Sequence, residues 1–372
     1  MPGTPGPRQY HTENAPMLSF LLLTALGRPL PPRPAVDPTV TVTVDSSRHE
    51  FTIRAGPFHL PDMGAMDHHA MDLGAAHSTP VFHFAWPVEG WFRGFRTAVV
   101  GGGGQALPRR LMHHMVVINY GRRQVLYPAA ERLFGAGQET EDARLPATIG
   151  VPMTPGMDLG FYIAWHNDTG ADLDGVYLAM TIEYLPRNQN PRPLDVFPLY
   201  MDVDLRVGGS NTFDLPPGRS ERAYEFTLPV GGRIIGYGGH LHDYGRTVRL
   251  QDVASGRVLA QVRADADRAG RVRGVSRGLP GVRGAGVRLR AGSRYRVVGV
   301  YDNPTGTLLV NGGMAHLAAL FAPDDVRALP RIDDRDPDYQ RDLASLEIMG
   351  MGMRTGAGDG HDHAGMEPQQ TP

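Results

Sequence analysis

Apolar and polar positions alternate along most of this chain with a period of two, the spacing of a half-buried strand. Thr39-Val40-Thr41-Val42-Thr43-Val44 is the plainest run, and Phe51-Thr52-Ile53 answers it across Asp45-Ser46-Ser47, which predicts a hairpin. Similar short runs cover Met115–Tyr120, Leu159–His166, Val176–Tyr184, Tyr224–Leu228, Arg233–His240, Thr247–Val253, Arg294–Tyr301 and Leu317–Phe321, each bounded by Gly, Pro, Asn or Asp. Two stretches read as helical: a short piece at Ala129–Phe134, and Pro337–Met349, where Tyr339, Leu343, Leu346 and Met349 recur at helical spacing behind a capping Asp336. Dense turn signals and few long helical runs predict an all-β protein with two tandem antiparallel β-sandwich, or jelly-roll, domains and flexible termini.

The expected division is a leader over 1–37, a first sandwich over 38–198, a second over 199–325, and a tail over 326–372 with a short helix. Pro186 to Pro198, rich in Pro, Asn and Arg, reads as the linker zone between sandwiches. An architectural repeat of about 120 residues is expected, although no sequence repeat is visible. The aromatic stretch Trp86 to Phe95 is expected to close the first sandwich, and Gly101–Gly104 reads as a turn because no Lys-Ser/Thr follows it as a phosphate loop requires. Within the leader, Met17–Gly27 is an apolar run too short to span a bilayer but suited to the core of a signal peptide. A periplasmic or secreted protein is therefore expected, with a cytoplasmic one as the alternative, and no stable membrane span.

Composition narrows the chemistry. At 372 residues and 41% hydrophobic content, two domains with proper cores are affordable. A formal charge of −2 indicates neither a nucleic-acid footprint nor a trap for acidic substrates. The chain contains no Lys, so its 37 Lys/Arg positions are all Arg. With no Cys, a blue-copper centre, a thiolate zinc site and an iron–sulfur cluster are excluded.

What remains is imidazole and thioether. His113-His114-Met115, His166, His240-Leu241-His242 and Met314 form a ligand set suited to copper cycling between Cu(I) and Cu(II). A lone His is more often a hydrogen-bonded core or surface residue, and a lone Met a gap filler. His240 and His242 are stronger, since residues i and i+2 of a strand share a face and can chelate one ion. His113 and His114 are awkward: joint ligation needs a bulge or a strand end there, and otherwise one of them is structural. His316 shares a face with Met314 and is the reserve ligand. Met63, Met66, His68, His69, Met71 and His77 form a tract that resembles copper-loading segments, or else a low-complexity loop, and His361, His363 and Met366 form a smaller cluster in the tail.

In order and spacing these motifs resemble the copper type II, ascorbate-dependent monooxygenases, the family of peptidylglycine alpha-hydroxylating and dopamine beta-monooxygenases. His113-His114-Met115 is similar to its His-His-Met motif, His166 to its distant third His, His240-Leu241-His242 to its His-x-His, and Met314 to its late Met. Asp174-Gly175-Val176 is similar to the Ser-Gly-Val strand after the third His, with Asp in place of Ser. The resemblance covers roughly residues 80 to 323. It implies two copper ions: an electron-transfer copper on His113, His114 and His166, and an oxygen-activating copper on His240, His242 and Met314. It further implies hydroxylation of a C–H bond of a small-molecule or peptide substrate, with an external electron donor such as ascorbate. The animal enzymes are laced with disulfides; this chain must hold its domains by packing alone. A non-enzymatic copper-binding or trafficking protein on the same scaffold is the alternative, and a carbohydrate- or peptide-binding double sandwich is the third reading.

Overall fold

The computed structural model describes residues 37–63, 78–137, 142–282 and 284–348. The leader with its 17–27 run, the tail cluster and Met349 lie outside the described residues. The described residues belong to one compact unit.

The alternating patterns become strands as expected. Glu50–Leu60 buries Phe51, Ile53 and Ala55, and Leu173–Pro186 buries Val176, Leu178, Met180 and Ile182, each on one face. They lie side by side in an eight-stranded sheet ordered Thr39–Asp45, Glu50–Leu60, Leu173–Pro186, Gly90–Gly101, Ile149–Met153, Leu194–Asp195, with Ala106–Leu107 and Ala143–Arg144 also pairing to Gly90–Gly101. A four-stranded sheet, Phe82–Ala85, Asp158–Trp165, Met112–Arg123 and Ala130–Gly137, completes the first sandwich. Met115, Val117, Phe161 and Ile163 from this sheet meet Phe51, Phe95, Met180 and Ile182 in one core. Trp86, Trp91, Phe92 and Phe95 are all buried, so the aromatic stretch does close this sandwich.

The second half repeats the architecture. Phe197–Asp202, Ala315–Pro323, Gly232–Leu241 and Val287–Leu289 form one sheet, and Gly218–Thr227, Arg294–Asn303, Gly245–Asp252, Val258–Ala266 and Val272–Val275 another. Leu199, Met201, Leu241, Val248, Val297, Ala315 and Leu317 fill its core. The two cores exchange residues: Ile235 of the second half packs into the first core, and Val125 of the first half into the second. Core membership changes within three residues of chain, since Val196 belongs to the first core and Leu199 to the second. The molecule is thus all-β, with two antiparallel sandwiches in tandem.

Three local expectations are corrected or met. Ala129–Phe134 is not helical; Ala130–Gly137 is a strand paired with Met112–Arg123, and this pairing lets Asn119 and Arg122 satisfy the buried Glu131 carboxylate at 3.0 and 3.1 Å. The supposed linker holds structure: Leu194–Asp195 pairs in parallel with Ile149–Gly150, and the Asp195 carboxylate accepts the Trp91 indole N–H at 2.7 Å. The second helix is present at Pro337–Ile348, and the Asp336 carboxylate accepts the Asp338 backbone N–H at 2.9 Å as its cap. Among the described residues no helix is long and apolar enough to cross a membrane.

Candidate metal centres

His240 and His242 sit at the end of Gly232–Leu241 and just beyond it, with Leu241 between them turned into the second core. The antiparallel register sets His240 opposite His316, and the His242 N–H donates to the Met314 carbonyl at 3.0 Å, so Met314 lies opposite His242. Ala315, between Met314 and His316, is buried in the core. Alternation therefore puts His240, His242, Met314 and His316 on one face of two neighbouring strands, as the corners of a square. The His240 ring lies 5.2 Å from that of His242, at 87°, and 5.3 Å from that of His316, at 28°.

Imidazoles sharing one ion at about 2.0–2.1 Å per metal–nitrogen bond have centroids roughly 5 Å apart, so these spacings suit a common metal. As they stand, however, His240 and His316 are stacked, and stacked rings direct their lone pairs along parallel planes. Among the described residues no three His, Asp or Glu side chains yet converge as a metal-holding group. Rotation of one imidazole about its side-chain bonds is what convergence at this square requires.

The next strand supports the square. Asp202 of Phe197–Asp202 is opposite His316, and the Tyr200 ring packs on the His316 ring at 4.8 Å. Burial pushes the Asp202 carboxyl up to about 6, against the pull of three donors: the Tyr200 hydroxyl, the Asn211 amide at 3.1 Å and the Asp204 N–H at 2.9 Å. The Tyr301 hydroxyl, buried beneath the Met314 segment, bonds its carbonyl and receives its N–H at 3.2 Å. Met314 is thus fixed through its backbone.

Close approach of the two strands depends on Gly239. A Cβ there would sit 2.5 Å from the His316 carbonyl oxygen and 3.3 Å from Val248 Cγ1. Gly239→Ala is expected to destabilise the fold by about 1–3 kcal/mol, the usual cost of overpacking. At Gly238 a Cβ would meet only Arg277 Cγ, at 3.8 Å, so Gly238→Ala should stay within about 0.5 kcal/mol. Chemical denaturation of both variants checks the contrast, and equal midpoints would remove the steric argument.

The other constellation sits at the start of Met112–Arg123. Pairing with Asp158–Trp165 runs Ala164 to His114 and then Trp165 to Met112, so His113 is the extra residue of a β-bulge. This distortion brings the His113 and His114 rings to 5.1 Å centroid separation at 59°. His166, nearly buried, donates its N–H to the Leu111 carbonyl at 2.8 Å and so lies alongside the same strand end. The Asn167 side chain locks the turn beyond it, donating to the Leu60 and Ala171 carbonyls at 2.8 Å each. Met63 donates its N–H to the Asn167 carbonyl at 2.8 Å, and Ser78 bridges to Ala164. Met63 is the one described member of the Met/His tract; Met66, His68, His69, Met71 and His77 lie outside the described residues, as do His361, His363 and Met366.

Between the constellations runs a band of residues that sequence reading missed. Tyr162 meets the His114 ring edge-on at 6.1 Å, while Tyr200 packs on His316. Arg132, on a strand that packs against Phe197–Asp202, lies near both phenols and is held by a bidentate pair with Asp342 at 2.6 and 2.7 Å. No sequence motif marks these residues.

No protein-family model matches the chain, and no curated protein sequence matches it. Solved structures that it resembles include the STIV MCP, at 12% identity and a TM-score of 0.33 over 71% of this chain and 96% of that one. Another is a structure of Sulfolobus Turreted Icosahedral Virus, at 10% identity and 0.34 over 86% and 100%. The Faustovirus major capsid protein follows, at 10% and 0.21 over 78% and 80%. TM-scores of this size carry no argument about this chain.

Proposed function

We propose that the protein is a copper-dependent monooxygenase, hydroxylating a C–H bond with O₂ and an external reductant such as ascorbate. The observation that carries this reading is the square of His240, His242, Met314 and His316 on one sheet face. Its donors, borderline imidazole and soft thioether, fit copper, and the ring spacings fit a shared ion after one ring turns. Copper held there would supply one-electron redox chemistry and reactivity toward O₂. His240 and His242 bind as a chelating pair. Met314 favours the reduced ion, and the Tyr301 hydroxyl keeps its segment in register with His242. Tyr200 restrains the His316 ring, and Asp202, anchored by Asn211 and Asp204, fixes the strand opposite it. In this reading His113, His114 and His166 bind the second copper, the relay for the external electron.

A non-enzymatic copper-binding or trafficking role draws on the same square. Four protein donors fill a four-coordinate shell, whereas a reactive metal needs an open position. Loading the full chain with copper and following oxygen uptake under ascorbate separates the two. The enzyme reading expects two tightly held coppers and uptake that His240→Ala abolishes at equal total copper. Tight copper without uptake beyond that of His240→Ala would favour the carrier and end the enzyme reading.

A further inference from the structure

Where the chain leaves Met112–Arg123, a cavity of about 370 Å³ lies between Gly121–Arg123, Phe197 and the 326–332 segment that leads to the helix. Seven strand positions, about 23 Å, separate Gly121 at its edge from His114, and five, about 17 Å, separate Phe197 from Asp202, the residue opposite His316. Its wall carries four arginines, Arg122, Arg123, Arg327 and Arg331, against one carboxylate, Glu131. Two of the four are committed. Arg122 binds Glu131 at 3.0 Å and the Pro152 carbonyl at 3.1 Å, and Arg327 grips Asp325 through two bonds of 3.0 Å.

Arg123 differs. It is half-buried, its Nε donates to the Tyr127 carbonyl at 3.1 Å, and among the described residues no carboxylate pairs with it. Burial lowers its proton affinity, with only a longer-range pull from Asp336, whose carboxylate is already the helix cap. A half-buried guanidinium with no carboxylate partner is stabilised by an anion in the adjoining cavity, where attraction is less screened than in open water. Arg331, exposed at the cavity rim, likewise has no ion pair among the described residues. Phe197, Val125, Leu329 and Ile332 give the remaining wall an apolar character. Cavities at junctions between packed units, apolar with a few convergent polar groups, are the usual form of a small-molecule site.

We propose that this cavity binds a small amphipathic carboxylate, its head taken by Arg123 and Arg331 and its apolar body laid against Leu329 and Ile332. Isothermal titration of the full chain with hexanoate at low salt tests this, with inorganic phosphate as a head-only probe and hexanol as a body-only probe. Saturable one-site binding of hexanoate is expected, tighter than either probe and weakened about tenfold by Arg123→Gln, the scale of one lost charge-assisted contact. Arg331→Gln, at an exposed position where folding is not at stake, should weaken it several-fold. Unsaturable heats, unchanged binding in both variants, or phosphate or hexanol binding as tightly as hexanoate would each overturn the proposal.

Discussion

Asp342→Ala is expected to destabilise the protein by about 3–5 kcal/mol, the cost of removing one partner from a buried ion pair. Asp342 is 5% exposed at its side chain and accepts two bonds from Arg132, at 2.6 and 2.7 Å, and a third from the Ala130 N–H at 2.9 Å. Alanine would leave a desolvated guanidinium and an unpaired backbone donor beneath the helix. It would also loosen the docking of Tyr339 and Leu346 onto Ile118 and Ala130. Asp338, paired with Arg341 on the exposed side of the same helix, is the control, and its Ala variant should change little. Urea denaturation of both variants decides it: an Asp342→Ala midpoint equal to wild type would mean the helix is not a structural clamp. Because Arg132 also adjoins Tyr162 and Tyr200, the same variant is expected to perturb the surroundings of His114 and His316.

Met314→Ile should do the opposite, removing chemistry while sparing the fold. The side chain keeps a similar volume, the branched residue suits a strand, and the bonds to Tyr301 and His242 run through the backbone. Stability should therefore fall by less than about 1.5 kcal/mol. Ascorbate-dependent oxygen uptake should nevertheless drop to a small fraction of wild type, because the ligand favouring Cu(I) is gone. Full activity in the variant would show that Met314 is only a packing residue and would remove the main support for the family resemblance.

Much of the fold was legible because burial on one face enforces alternation. Thr39–Val44 and Val176–Tyr184 could be read directly, as could the capped helix at Pro337. Ala129–Phe134 misled because its apolar residues are too few to separate the two periods, and pairing with Met112–Arg123 decides its state. Leu194–Asp195 was hidden by flanking prolines that mark turns without excluding a two-residue bridge. An architectural repeat does have a trace in sequence: Asn167-Asp168-Thr169-Gly170 and Asn303-Pro304-Thr305-Gly306. In both, the Asn amide donates to carbonyls across the turn, its oxygen accepts from the Thr N–H and hydroxyl, and the Gly adopts positive φ. The motif is short enough to pass for two ordinary turns.

In the candidate site, period two placed His240 with His242 and Met314 with His316, and the need for a bulge at His113-His114 followed from their adjacency. What the sequence could not supply was which strands are neighbours. The pairing of Gly232–Leu241 with Ala315–Pro323 sets His316 beside His240, and the packing of Phe197–Asp202 brings Tyr200 and Asp202 to the same face. Those are long-range contacts, fixed by the cores rather than by any local pattern.

X-ray absorption of the full chain loaded anaerobically with Cu(I) tests the central claim most directly. The account predicts imidazole nitrogens with one thioether sulfur for every two coppers at two-copper loading, the sulfur contribution vanishing in Met314→Ile. A copper shell without sulfur, or a sulfur signal that survives in Met314→Ile, would contradict it.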